Sequence, residues 1–139
     1  MNRDKATARS EASGWFERAD RDLRAVRLCL AATDFLPDIA AYHCQQAAEK
    51  LIKGVLVLAG VSFRKTHDLD ELADLGEAYF PVLAARLESV RPFTDWAEAF
   101  RYPGIDPLAT LEPSRRDLEE AVEALERLQQ AARGLEPPE

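Results

Sequence analysis

The polar residues with the clearest chemical potential share one face of a helical stretch in the first half of the chain. They are spaced by four, three and four residues, and we call them the polar stripe: Tyr42, Gln46, Glu49 and Lys53. His43 and Lys50 lie beside the stripe. One interpretation is structural, since Glu49 and Lys53 can pair along the helix. A polar ligand cleft and a dimer surface are the alternatives. Charged side chains in a helical bundle must either pair with opposite charges or stay exposed to water.

His67 is the weak candidate for a catalytic residue. It lies in residues 65–69 (KTHDL), at a predicted helix start, where a histidine more often orients the loop. A zinc site built from Cys29, His43, Cys44 and His67 is disfavoured, because their spacing matches no close ligand pair from one loop. We therefore expect no metal, and we expect both cysteines to be free thiols that pack as small hydrophobes. No cofactor is expected, because the chain has no glycine-rich phosphate loop.

Arg101 and Tyr102 end an aromatic-rich helix just before a long connection that contains prolines. An arginine at a helix end can simply serve the last carbonyl groups. It is also well suited to bind phosphate through two parallel hydrogen bonds, while a tyrosine ring offers a flat surface for a base. We therefore group Arg101 and Tyr102 with the polar stripe as the predicted binding residues for a ligand or a partner.

The composition limits the possible functions. The chain has 139 residues, 47% hydrophobic and 31% charged, with a formal net charge of −7. We expect one domain over residues 1–139, with flexible ends at residues 1–12 and 135–139. No apolar run is long enough to cross a membrane and no basic-then-apolar leader is present, so we expect a cytoplasmic protein. The net charge repels phosphate, so nucleotide or nucleic-acid binding requires a local basic patch.

Apolar residues recur at helical spacing along the whole chain, and no alternating strand pattern occurs. We therefore predict an all-α fold, an up-and-down bundle of four to five helices. The first helix is expected from about Gly14 to Ala32, with a cap near Ser13, and the second from Pro37 to about Ala59. A short helix should span Asp68 to about Tyr79. Further helical segments should follow Pro81 and Pro92, and a last helix should begin after Ser114 and end at Gly134.

Three separate blocks together resemble the HEPN domain family: residues 41–54 (AYHCQQAAEKLIKG), 65–69 (KTHDL) and 101–103 (RYP). The resemblance covers nearly the whole chain, from about Gly14 to Ala132. It implies a helical bundle that forms a homodimer with a cleft, and a frequent pairing with an MNT-type nucleotidyltransferase. For the family it also implies nucleotide binding and, in many members, ribonuclease activity as toxins.

The resemblance also implies a motif for the ribonuclease branch of the family, in which an arginine is followed four to six residues later by a histidine. Arg101 has no such histidine after it. Ribonuclease activity is therefore expected to be weak or absent, and the Arg-Tyr-Pro ending resembles the companion half of an MNT pair. The sequence thus favours a dimeric protein that binds a nucleotide, an RNA segment or a nucleotidyltransferase, in a pair of the toxin–antitoxin type. The alternatives are a ribonuclease toxin that uses His67 and a non-catalytic dimeric adaptor.

The Arg101→Ala variant separates a binding role from a helix-end role. One charge-assisted contact is worth about 1.5 to 3 kcal/mol, so we expect the variant to bind a nucleotide or the neighbouring nucleotidyltransferase about ten- to a hundredfold more weakly. Thermal unfolding of the same variant is the control, because a lost helix-end contact costs up to about 1 kcal/mol of stability. A variant that melts earlier and binds normally would show that Arg101 is only a cap.

Overall fold

Helices form wherever the apolar residues repeat every three or four positions. The computed structural model describes residues 4–96 and 113–138. Within them the helices are α1 (Lys5–Ala31), α2 (Pro37–Leu58), α3 (Leu69–Tyr79), α4 (Ala84–Glu88) and α5 (Arg115–Arg133), with a 3-10 turn at Pro81–Leu83. Residues 93–96 are also helical. These ranges contain no strand, and the predicted all-α fold is confirmed.

Helices α1, α2 and α5 form the centre of the bundle. Helices α1 and α2 run antiparallel. Gly54 near the end of α2 lies against Trp15 and Phe16 in the first half of α1, whereas His43 near the start of α2 contacts Asp22 further along α1. Helix α5 also runs antiparallel to α1. Arg133 near its end pairs with Asp20 at 2.6 Å, and Arg115 at its start donates to the carbonyl oxygen of Leu30 at 2.5 Å. The apolar faces of the three helices therefore enclose one core.

Helix α1 begins nine residues before the predicted start at Gly14. Asp4, and not Ser13, is the N-cap, and its carboxylate accepts a hydrogen bond from the Ala6 amide at 3.3 Å. Ala8 and Ala12 extend the buried face of the helix toward its N-terminus. The predicted boundary was wrong because an exposed glycine inside a helix costs only about 1 kcal/mol, which the added burial offsets. Flexibility at residues 1–12 and 135–139 stays a prediction.

The other long helices begin and end close to their predicted positions. Helix α2 starts at Pro37, and Gly60 follows its end with a φ of 73°, a left-handed conformation that glycine adopts readily. The Asp68 carboxylate caps α3 by accepting from two backbone amides. Ser114 and Asp117 form a reciprocal capping box at the start of α5. Local capping chemistry therefore sets these boundaries.

Arg91 fastens α3 to the segment that follows α4. Its guanidinium contacts Asp74 at 2.8 Å, Glu88 at 2.9 Å and Asp70 at 3.1 Å. The hydrogen bond to Asp74, followed by that to Asp70, raises the pKa of Arg91. The arginine therefore stays charged, and it offsets the mutual repulsion of the acidic residues on this face.

Phe93 is buried in the hydrophobic core of the single chain. Its ring is 4% exposed and stacks on Trp96 with 4.8 Å between ring centroids. An exposed apolar surface at Phe93, Trp96 and Phe100 would be an argument for a dimer. Phe93 gives no support to that argument, since packing inside the chain already covers it. Phe100 lies outside the described residues.

The length and hydropathy of the helices bear on whether any of them could cross a membrane. None of the helices in residues 4–96 and 113–138 is both long enough and apolar enough to span a bilayer.

The close approach of α1 and α2 depends on the missing side chain of Gly54. A Cβ atom built at this position lies 2.5 Å from Cε1 of Phe16, so Gly54→Ala should lower the free energy of unfolding by about 1 to 3 kcal/mol. Gly14→Ala is the matched control, because a Cβ atom built there has nothing within 4 Å, and it should raise stability by about 0.5 to 1 kcal/mol. Urea unfolding measures both variants. Equal effects would contradict the close packing.

Candidate functional site: a buried carboxylate on the polar stripe

Glu49 is the centre of the candidate site. The residue is 4% exposed, and its Oε1 atom lies 2.6 Å from Nδ1 of His67, which donates to it. Its other oxygen, Oε2, lies 3.6 Å from Nζ of Lys53. Burying an ionised carboxylate is costly unless it is paired and hydrogen-bonded, and here both oxygens have a partner. The predicted pairing of Glu49 with Lys53 is present, and His67 joins it from the loop before α3.

Gln45 fixes the position of His67 relative to α2. The side chain is completely buried, and its amide nitrogen lies 3.4 Å from Oε1 of Glu49 and 3.2 Å from the backbone oxygen of His67. Its amide oxygen accepts a hydrogen bond of 2.7 Å from Gln46. Hydrogen bonds to α2 therefore hold both the ring and the backbone of His67. The sequence analysis did not single out Gln45.

Lys53 is buried between two aromatic rings. Its ammonium lies 5.9 Å from the ring centroid of Trp15 on α1 and 5.9 Å from that of Phe63 in the loop before α3. The residue is 8% exposed. Cation–π contacts and the Glu49 carboxylate together compensate for the lost hydration of the ammonium. The charge of Lys53 is thus already matched inside the protein.

Asp22 forms a second buried cluster beside the stripe. It is 8% exposed, and its carboxylate contacts Nδ1 of His43 at 2.8 Å and Nζ of Lys50 at 2.5 Å. The sequence analysis missed this residue. A signal was available, because Asp22 interrupts the apolar face of α1, next to Leu23 and between Ala19 and Val26. A charged residue on an apolar face predicts a buried partner.

The remaining predicted site residues lie at the surface or outside the described chain. Tyr42 and Gln46 are partly exposed on α2, where the Tyr42 ring meets His43 edge-on with 5.4 Å between centroids. His67 is exposed. Arg101 and Tyr102 lie outside the described residues. The structure thus brings His67 together with Glu49 and Lys53, and the positions of Arg101 and Tyr102 stay predictions.

The cluster is suited to hold a ligand through hydrogen bonds and proton exchange. Because Nδ1 of His67 faces the Glu49 carboxylate, Nε2 is the nitrogen left to meet a ligand. No group of three or more metal-ligating side chains occurs in residues 4–96 and 113–138. Cys44 is fully buried, and this burial, with a smaller effect from Cys29, raises the pKa of its thiol to about 12. Cys44 therefore packs as a small hydrophobe.

Comparison with known proteins identifies a family and a relative. The HEPN domain family matches residues 12–135. A protein of Methanocaldococcus jannaschii named "Putative toxin MJ1304" is 41% identical over 51 residues, which are 37% of this chain. The match spans 32% of that protein, about a third of its length. No solved structure matches the chain.

The burial of Glu49 predicts a large cost for its removal. Glu49→Ala leaves the Lys53 ammonium buried without its carboxylate, so we expect a loss of about 3 to 5 kcal/mol in the free energy of unfolding. The double variant Glu49→Leu with Lys53→Met should recover most of this loss. Arg116→Ala is the control, since its pair with Glu120 is exposed and worth at most about 1 kcal/mol. Equal losses for Glu49→Ala and Arg116→Ala in urea unfolding would refute the buried pair.

Proposed function

Since the chain belongs to the HEPN domain family, we propose that it is the binding component of a toxin–antitoxin-type pair. Its ligand is a nucleotide or an RNA segment held by phosphate contacts at the polar stripe. Its partner is an MNT-type nucleotidyltransferase. The observation that carries the proposal is the buried Glu49 carboxylate, which holds Lys53 inside the protein and the exposed His67 at the surface.

The low net stability that buried ion pairs provide favours a functional role for the cluster around Glu49. A buried ion pair adds little net stability, and apolar residues of similar volume often serve the fold as well or better. The polar face of α2 nevertheless contacts two buried carboxylates, Asp22 and Glu49, each beside a histidine and a lysine. The presence of both clusters on one face of α2 therefore favours a role in binding.

The proposal depends on Arg101 for phosphate binding, because the positive charge of the stripe is already paired. Lys53 was expected to offer a second positive charge to a phosphate, but Glu49 already faces its ammonium. A chain with a net charge of −7 needs focused cations to hold an anion. We therefore assign the bidentate phosphate contact to Arg101 and the base-stacking surface to Tyr102. Tyr42 and Gln46 complete the surface of the stripe beside His67.

A homodimer belongs to the same proposal, with one domain over residues 1–139. The toxin name of the relative and the family membership support a role in a toxin–antitoxin-type pair. The family resemblance implies a cleft between or beside the two protomers of the homodimer. Sedimentation of the purified protein tests this part, and a monomer at tens of micromolar would remove the shared cleft.

A ribonuclease is the second candidate function, and the contact between Glu49 and His67 favours it. A carboxylate that orients a histidine is a common arrangement for general acid–base catalysis. The missing histidine after Arg101 argues against it, so we place binding first. Metal-free RNA degradation that His67→Ala abolishes, with the fold intact, would reverse this order.

The experiment that tests the proposal pairs co-purification with nucleotide titration. The tagged chain is expressed with an MNT-type nucleotidyltransferase, and the purified protein is titrated with a nucleotide panel and a short RNA. We expect a stable complex and phosphate-dependent binding that Tyr42→Phe with Gln46→Ala weakens, because both changes alter the stripe surface and leave Glu49 in place. A chain that binds neither partner nor phosphate ligand would favour the structural adaptor and contradict the proposal.

A further inference from the structure

The lysines that contact the two buried carboxylates are electrostatically balanced. Nζ of Lys53 lies 3.6 Å from Glu49, and Nζ of Lys50 lies 2.5 Å from Asp22. Each ammonium therefore faces one carboxylate, and the four charges sum to zero. A phosphate that approaches this surface gains little net attraction from these two lysines. Binding an anion here requires one more positive charge close to the stripe.

His67 is placed to supply that charge. Its side chain is 55% exposed, while Nδ1 lies 2.6 Å from the buried Oε1 of Glu49. Gln45 holds the backbone oxygen of the same residue at 3.2 Å. The ring is therefore fixed at one nitrogen and accessible to solvent. If a proton binds to Nε2, the imidazolium faces the Glu49 carboxylate on one side and presents an N–H donor on the other.

Most of the other charged groups around His67 already have partners. Among them are the pair Arg64 and Glu71, joined at 2.6 Å, and Asp68, whose carboxylate caps α3 by accepting from the Asp70 and Glu71 amides. Lys65, two residues earlier in the chain, is exposed. On the α2 side the facing groups are Glu49 and Lys53. Asp22 on α1 is occupied by His43 and Lys50. Glu49 is thus the carboxylate that contacts the His67 ring within the described ranges.

We infer that His67 takes up a proton when a phosphodiester binds at the polar stripe, and that its Nε2–H then donates to a phosphate oxygen. This inference rests on the proposed function and adds His67 as a second residue that contacts the phosphate, besides Arg101. His43 has the same Nδ1 contact to a carboxylate, but its side chain is only 30% exposed, against 55% for His67. His67 is therefore the histidine that gains charge on binding.

The sign of the pH dependence follows from proton linkage. The complex holds one more proton than the free protein at a pH where His67 is neutral, so raising the pH must weaken binding. Where the free protein has a neutral His67 and the complex a protonated one, the affinity should fall by up to about tenfold for each unit that the pH rises. A phosphodiester keeps its single negative charge throughout this range, and the change must therefore come from the protein.

The test uses a short single-stranded RNA without terminal phosphates and the full chain. Isothermal titration calorimetry in two buffers of different ionisation enthalpy measures proton uptake at about pH 7. We expect uptake of a fraction of a proton per site, and affinity that falls from about pH 6 to about pH 8. In His67→Ala the uptake should disappear, and affinity at the lower pH should fall about ten- to a hundredfold.

Two further variants keep the result interpretable. His67→Lys supplies a fixed charge, so it should bind the RNA well with little dependence on pH. His43→Ala is the matched control and should retain the proton uptake of the wild type. RNA binding without proton uptake, or uptake that persists in His67→Ala, would overturn the inference and leave the proposed function standing. A wild-type chain that binds no RNA at any pH would overturn the inference and remove RNA as the ligand in the proposed function, whose nucleotide and nucleotidyltransferase binding are tested separately.

Discussion

The burial of the Glu49 carboxylate is the constraint on which the rest of the site depends. An ionised carboxylate inside a protein must find charged or hydrogen-bonding partners, and each partner here comes from a different place in the chain. Lys53 lies one turn further along α2, Gln45 one turn earlier, and His67 in the loop that leads to α3. The carboxylate therefore ties that loop to α2 and fixes the histidine ring at the surface.

The contact between α1 and α2 determines how deeply these polar groups lie. Gly54 lets α2 approach the side chains of Trp15 and Phe16, and the Trp15 ring then covers the Lys53 ammonium. Asp22 meets His43 and Lys50 across the same interface. An apolar interface alone would allow the two helices to slide, whereas a buried carboxylate with two partners on α2 favours one alignment. The same contacts thus define the fold and build the polar surface.

The fold could be predicted from the sequence because periodicity and capping are local properties. Residues such as Pro37, Asp68 and Ser114 lie at helix starts that were predicted from the sequence, and they act through contacts within a few positions. The polar stripe was also visible, since Glu49 and Lys53 are neighbours on one helix. The contacts of His67 with Glu49 and of Asp22 with His43 could not be predicted from the sequence, because they join residues that are 18 and 21 positions apart. Only the packing of separate elements creates such contacts.

Nitrogen-15 NMR of the histidine rings shows whether Glu49 fixes the protonation of His67. In the free protein at mildly alkaline pH, the account predicts that the proton of the neutral His67 ring resides on Nδ1, and that Glu49→Gln shifts it toward Nε2. On addition of RNA near neutral pH, both ring nitrogens should become protonated. A His67 ring that carries its proton on Nε2 in the free protein, and is unaffected by Glu49→Gln, would contradict the account.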